Sequence, residues 1–159
     1  MRAYIHATSD ADYAAAADLF RAYATWLNID LGFQHFSEEL QQLKKMYALP
    51  VGGIILCKID DGAIGCVGIR KQEEEIAELK RMYVQPAFQH KGIGKELLEE
   101  AIKLAIECGY KKIRLDTLSN MHPAINLYTQ YGFYEIPAYY YNPEPTAVYF
   151  EKDLHTGKE

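Results

Sequence analysis

The chain has 159 residues, 49% of them hydrophobic and 25% charged, with a net charge of −5; this fits one globular domain able to bury its own core. A negative balance argues against a nucleic-acid binder, which presents a basic face, and no apolar run approaches the ~20 residues of a membrane span. The opening MRAYIHATSDADY lacks the apolar core of a signal peptide, so a cytoplasmic protein is expected, partnered by neither nucleic acid nor membrane. A single domain is expected over residues 1–154, followed by a tail at 155–159.

In chain order, AYIHAT (3–8) reads as a first strand. Ser9 or Asp10 can cap a helix whose Ala14, Ala17, Phe20, Ala24 and Leu27 fall at helical spacing. Leu40, Leu43 and Met46 behind Ser37 predict a second helix, and IDLGFQHF between the two is a loop with exposed aromatics. GGIILCKI and AIGCVGIRK, joined by the turn signal DDG, predict a β-hairpin. IAELKRMYV (76–84) is a further strand ended by Pro86. From about Gly92 to Cys108, Ile93, Leu97, Leu98, Ala101, Leu104 and Ala105 form the apolar stripe of an amphipathic helix that Gly109 stops. KIRLDTL follows, and strand–helix–strand implies a parallel pair with a right-handed crossover. HPAINLYTQY is a short helix ended by Gly132, and FYEI and AVYFEKDL complete a mixed α/β fold.

Cys57, Cys66 and Cys108 form no CxxC pair and read as reduced thiols; the five histidines show no HxxxH pattern, so no metal site is expected. From Leu79 to Lys95 the chain carries Lys80, Arg81, Lys91 and Lys95 and no acid. This positive island is either a candidate anion site or a chance clustering on a solvated face. Within it, QPAFQHKGIGKELL places Gly92 and Gly94 at a helix start, although glycine costs a helix interior about 0.5–1 kcal/mol relative to alanine. Without Cβ atoms, the unpaired amides of a helix start can close on an anion, typically a phosphate.

Walker A fails because Glu96 follows Lys95 and Gln89 occupies the place of the first glycine. The dinucleotide fingerprint fails because Leu97 stands where its third glycine belongs and QPAFQHK separates strand from glycines, although Asp116 lies at a plausible distance for a ribose contact. Gln89-His90-Lys91-Gly92-Ile93-Gly94 instead fits Q/R-x-x-G-x-G/A. Together with ELKRMYV before it and AINLYTQYGF after it, the segment from Ile54 to Phe150 resembles the GNAT superfamily of acetyl-coenzyme A-dependent N-acetyltransferases.

That resemblance implies a mixed, mostly antiparallel twisted sheet with a central parallel strand pair, flanked by helices. It implies acetyl-CoA as cofactor, with the pyrophosphate on the amides of Gln89, His90, Lys91, Gly92, Ile93, Gly94 and Lys95 and the pantetheine arm along Met82, Tyr83 and Val84. Tyr128 matches the family's usual general acid. Glu78 is the candidate base, against a plain reading as a solvated carboxylate beside Glu73, Glu74 and Glu75. Relatives carry asparagine where this chain has Met121, so Asn120 either makes that cofactor contact from a shifted loop or caps the helix. The acceptor pocket would lie between the loop after the first helix (Asp30, Phe33, His35, Phe36) and AYYYNPEP (Tyr139, Tyr140, Tyr141, Asn142), where tyrosines could wall a small amine by cation–π contact or simply pack. With strict strand alternation, Glu78, Lys80 and Met82 share one face and Leu79, Arg81 and Tyr83 the other; a bulge would change this.

The implied activity is direct transfer of acetyl to a primary amine of a small molecule. Acetylation of a protein lysine or N-terminus, a non-catalytic acyl-CoA-binding module and a nucleotide-binding oxidoreductase are the alternatives. A homodimer is compatible with the family and not decided by the sequence.

Overall fold

The computed structural model describes residues 2–28, 31–32 and 35–154. Asp30 and Phe33, with the 155–159 tail, lie outside the described residues. The elements are β1 (Arg2–His6), α1 (Asp10–Leu27), α2 (Phe36–Gln41), α3 (Leu43–Met46), β2 (Gly53–Ile59), β3 (Gly62–Glu73), β4 (Ile76–Val84), α4 (Ile93–Glu107), β5 (Lys112–Leu118), α5 (His122–Gln130), β6 (Tyr134–Ile136) and β7 (Ala147–Asp153). They build one seven-stranded sheet in the order β1-β2-β3-β4-β5-β7-β6. Every neighbouring pair is antiparallel except β4 and β5, which are parallel and joined through α4.

Local chemistry sets the element ends. Ser9 caps α1 in a reciprocal box, its hydroxyl accepting from the Asp12 amide at 3.1 Å while the Asp12 carboxylate accepts from the Ser9 amide at 3.2 Å. The predicted second helix is two short pieces, because Gln42 leaves helical geometry at φ −130° and ψ 26°. Pieces this short have little stability of their own and are held from outside, through Glu39 and Tyr47. Phe36, expected in an exposed loop, is instead the first residue of α2 and half-buried, with the Arg81 guanidinium 5.1 Å from its ring centroid.

β2 is buried on both faces and reads as a continuous apolar run for that reason. Ile55 and Cys57 face α4, where they pack with Leu97, Leu98, Ala101 and Leu104. Ile54 and Leu56 face α1, against Ala16, Ala17, Leu19 and Phe20. Each Leu or Ile so buried contributes roughly 1.5–3 kcal/mol, and the helices are thereby fixed on opposite sides of the strands that carry the site.

Candidate active site

β4 and β5 are paired only from Ile76–Lys112 to Glu78–Arg114. Beyond that the strands part, because β4 is bulged. Its register against β3 jumps from Gly68–Lys80 to Cys66–Tyr83, and Arg81 sits at φ +59°. A left-handed non-glycine residue inside a strand is uncommon and needs support. Arg81 has it: Nη2 donates to Glu39 Oε1 at 2.8 Å and Nε to Oε2 at 3.3 Å, while Tyr47 Oη donates to the same Oε2 at 2.7 Å. Glu39 and Arg81 are both buried. Burial pushes the Glu39 carboxyl up, but the hydrogen bonds and charge of Arg81 outweigh it and hold it below its ordinary value.

The bulge corrects the alternation expected for this strand. Leu79, Met82 and Val84 belong to the α4 side, while Tyr83 packs with the α1 side, and Arg81 reaches α2 through Glu39. Lys80 and Arg81 are therefore consecutive yet both turn away from α4.

Between the parted strands lies a cavity of 570 Å³, walled by Met82, Tyr83 and Val84, by Gln89, His90, Ile93 and Gly94, and by Asn120 and Tyr128. Gly92 caps α4 at φ +84°, a conformation side chains rarely adopt. A Cβ added at Gly94 would meet nothing within 4 Å, so this glycine leaves open room on the cavity wall. The Gln89 side chain donates to the Val84 carbonyl at 2.9 Å, tying strand end to helix start. Lys91 and Lys95 are exposed and stand off the wall; Arg2 Nη1 donates to the Lys91 carbonyl at 3.0 Å.

Tyr128, on α5, is buried with its ring 5.6 Å from that of Phe133, and burial pushes its hydroxyl above the usual tyrosine range. Asn120 does not cap α5: the N-cap position is Met121, without a side-chain cap, and Asn120 and Met121 both line the cavity.

Glu78 is not the solvated carboxylate of the plain reading. It is 4% exposed, whereas Glu73, Glu74 and Glu75 are exposed. Oε1 accepts from Arg70 Nε at 3.2 Å, Oε2 accepts from Tyr139 Oη at 2.8 Å, and Lys80 Nζ lies 3.9 Å from Oε2. Burial pushes this carboxyl up too, but Lys80, Arg70 and the Tyr139 hydrogen bond carry it below the ordinary value. Lys80 is buried between two acids, 3.9 Å from Glu78 and 3.9 Å from Asp116, and burial draws its ammonium down. Asp116 also accepts from Tyr140 Oη at 2.8 Å.

Glu78 lines a second cavity, of 470 Å³, with Arg70, Lys71, Tyr139 and Tyr140; Lys80 is on the walls of both cavities. Tyr139, Tyr140 and Tyr149 stack edge to face with centroids 5.3–5.6 Å apart, so the AYYYNPEP tyrosines pack as well as wall a cavity. Tyr141 does neither: it is 80% exposed and on neither cavity wall. Asn142 reaches the first cavity. Arg70, Glu39, Tyr23 and Trp26 were not singled out by sequence reasoning; of these, Tyr23 and Trp26 line the first cavity and Arg70 the second. Only the apolar helical spacing around Phe20 and Ala24 hinted that α1 would face the sheet there.

A mixed sheet with a central parallel pair, flanked by helices, is the architecture that the sequence resemblance implies. The description "Acetyltransferase (GNAT) family" matches residues 16–133 of the chain. An uncharacterized N-acetyltransferase of Schizosaccharomyces pombe is 33% identical over 138 residues, spanning 86% of this chain and 85% of that protein. Among solved structures, a GNAT family acetyltransferase from Staphylococcus aureus superposes with a TM-score of 0.80 at 19% identity, covering 98% of this chain and 100% of that one. Another, from Elizabethkingia anophelis and solved with acetyl-CoA bound, gives 0.68 at 22% identity, covering 96% and 98%. The chain belongs to the GNAT acetyltransferase family and is an acyltransferase. Among the described residues no helix is long and apolar enough to cross a membrane.

Proposed function

We propose that the chain moves the acetyl group of acetyl-CoA directly to a primary amine of a small molecule. One observation carries this reading: the cavity where β4 leaves β5 is bounded by both a ladder-free strand edge and the opened start of α4. The residues fit the cofactor. Beyond Glu78 the β5-facing edge of β4 has no ladder partner, so Met82, Tyr83 and Val84 can pair with an extended, amide-bearing arm as a strand would. The room left at Gly94 lets a diphosphate approach the amides from Gln89 to Lys95, where the helix dipole favours it. The relative solved with acetyl-CoA bound shares this fold. Asn120 lines the same cavity, and its amide would add a polar contact to the arm.

Acetyl-CoA supplies the thioester. Tyr128 holds a hydroxyl at the cavity wall, and its raised pKa keeps that proton in place throughout the neutral range. Its part is therefore to donate a hydrogen bond to the departing sulfur rather than to give its proton away completely. The acceptor poses a harder problem. An ordinary alkyl ammonium near pKa 10.4 giving its proton to a carboxylate near 4.3 is uphill by roughly 8 kcal/mol. Glu78, held lower still, acts as base only if the bound ammonium is itself weakened. The positive charges of Lys80 and Arg70 around that position work in this direction.

The test is thiol release from acetyl-CoA across a panel of primary amines. Turnover by the native chain that falls in Tyr128→Phe, with acetyl-CoA binding retained, supports the reading. Acetyl-CoA binding with rates unchanged in Tyr128→Phe removes Tyr128 from it.

A further inference from the structure

The lining of the second cavity holds more cations than acids. The protein as a whole carries −5, yet this 470 Å³ space is walled by Arg70, Lys71 and Lys80 against one carboxylate, Glu78. Glu78 is already opposed: Arg70 reaches it at 3.2 Å, Lys80 lies 3.9 Å away and Tyr139 donates to it at 2.8 Å. A guanidinium presents five N–H donors, and Glu78 takes those on Nε and Nη2. Lys71 is paired with Glu74 at 3.1 Å, but the two side chains are 46% and 89% exposed. Such a surface pair contributes little and exchanges readily for a better partner. Lys80 is offset by Asp116 as well as Glu78, each at 3.9 Å, so the groups left to meet a ligand are the remaining Arg70 donors and Lys71.

Its position says which ligand. Lys80 stands on the walls of both cavities, so an occupant of the second one ends at Lys80, beside the first cavity. We propose that the acceptor is an amine that carries a carboxylate, with the carboxylate on Arg70 and Lys71 and the amine at Lys80. This rests on the acetyltransferase reading above and deepens it. The arrangement answers the proton problem as well as the specificity problem. Lys80 and Arg70 beside the amine favour its neutral, nucleophilic form against the opposite pull of Glu78 and Asp116, and Arg70 and Lys71 at the far end favour a carboxylate over a second cation. A diamine would bring a second positive charge against Arg70 and Lys71, where a carboxylate brings the opposite one.

The experiment compares β-alanine and L-amino acids with their own carboxamides and with diamines of matching length. Calorimetric binding to the protein saturated with coenzyme A is measured alongside thiol release. The expected result is binding, and kcat/KM where turnover occurs, about ten-fold or more in favour of an acid over its amide, the size of a charge-assisted contact. Lys71→Glu and Arg70→Met should each shrink that acid-to-amide ratio, with Lys71→Gln between native and Lys71→Glu. Arg70→Met disturbs Glu78, so the Lys71 series keeps the test clean if that variant fails to fold. Amides or diamines bound as well as the acids would overturn the inference while leaving the acetyltransferase reading intact. Failure to bind coenzyme A or acetyl-CoA at all would instead overturn the reading on which it rests.

Discussion

Arg81 Nη2 lies 2.8 Å from Glu39 Oε1, and both side chains are sealed from solvent. The pair joins residues 42 positions apart and secures the left-handed turn of the backbone at Arg81 that ends the parallel pairing of β4 with β5. The cavity opens where that pairing ends. Removing Glu39 strands a buried guanidinium, a loss of about 3–5 kcal/mol in comparable sites. Glu39→Ala should accordingly lower the denaturant midpoint severely, and Tyr47→Phe, which removes one hydrogen bond, should cost about 1 kcal/mol. The double variant Glu39→Ala/Arg81→Met should recover part of the loss, since no unpaired charge remains.

Glu39, Glu78 and Glu151 are buried carboxyls, all held below their ordinary values. A carboxyl lowered on folding binds fewer protons in the native state than in the unfolded one across the interval between its two pKa values. Its contribution to stability is complete above the unfolded value, near 4.3, and is lost as pH falls through the folded one. Acid titration of stability should therefore show a drop that begins in the ordinary glutamate range, near 4.3, and continues well below it. Glu78→Gln should make that drop shallower, as read from denaturant midpoints at successive pH values.

Gly94 separates binding from folding. Because nothing lies within 4 Å of an added Cβ, Gly94→Ala should fold normally and gain up to about 1 kcal/mol from helix propensity. On the proposed reading, the same methyl group stands where the diphosphate approaches the amides. Weaker acetyl-CoA binding with an equal or higher Tm is the expected pairing; undiminished affinity would place the diphosphate elsewhere.

Tyr128→Phe should leave the KM for acetyl-CoA near its native value and reduce kcat by about 10²-fold, the lower end of acid–base contributions. The raised hydroxyl pKa means that Tyr128 does not ionise across the neutral range. A basic limb in the pH–rate profile near neutrality should persist in the Phe variant.

Much of the fold is legible in local pattern. The stripe from Ile93 to Ala105, followed by KIRLDTL, dictates a crossover helix and a parallel neighbour, and the structure has both. Gly92 and Gly94 mark the helix start because their cost to a helix is visible in the sequence itself. What stays hidden is long-range. IAELKRMYV reads as an unbroken strand, since a bulge at Arg81 depends on Glu39 arriving from another element. The burial of Glu78 is hidden likewise, because Arg70 and Tyr139 come to it from β3 and from the segment after β6. Neighbouring tyrosines with the same composition part company for the same reason: Tyr139 has Tyr149 and Glu78 to pack against, and Tyr141 is left in solvent.

The central claim is that the parted strands and the opened helix start take acetyl-CoA. Calorimetric titration of the native chain with acetyl-CoA, with NAD as comparator, tests it most directly. Saturable binding of acetyl-CoA alone, weakened in Gly94→Ala, is the predicted result; a folded protein that binds neither, or that prefers NAD, would contradict the account.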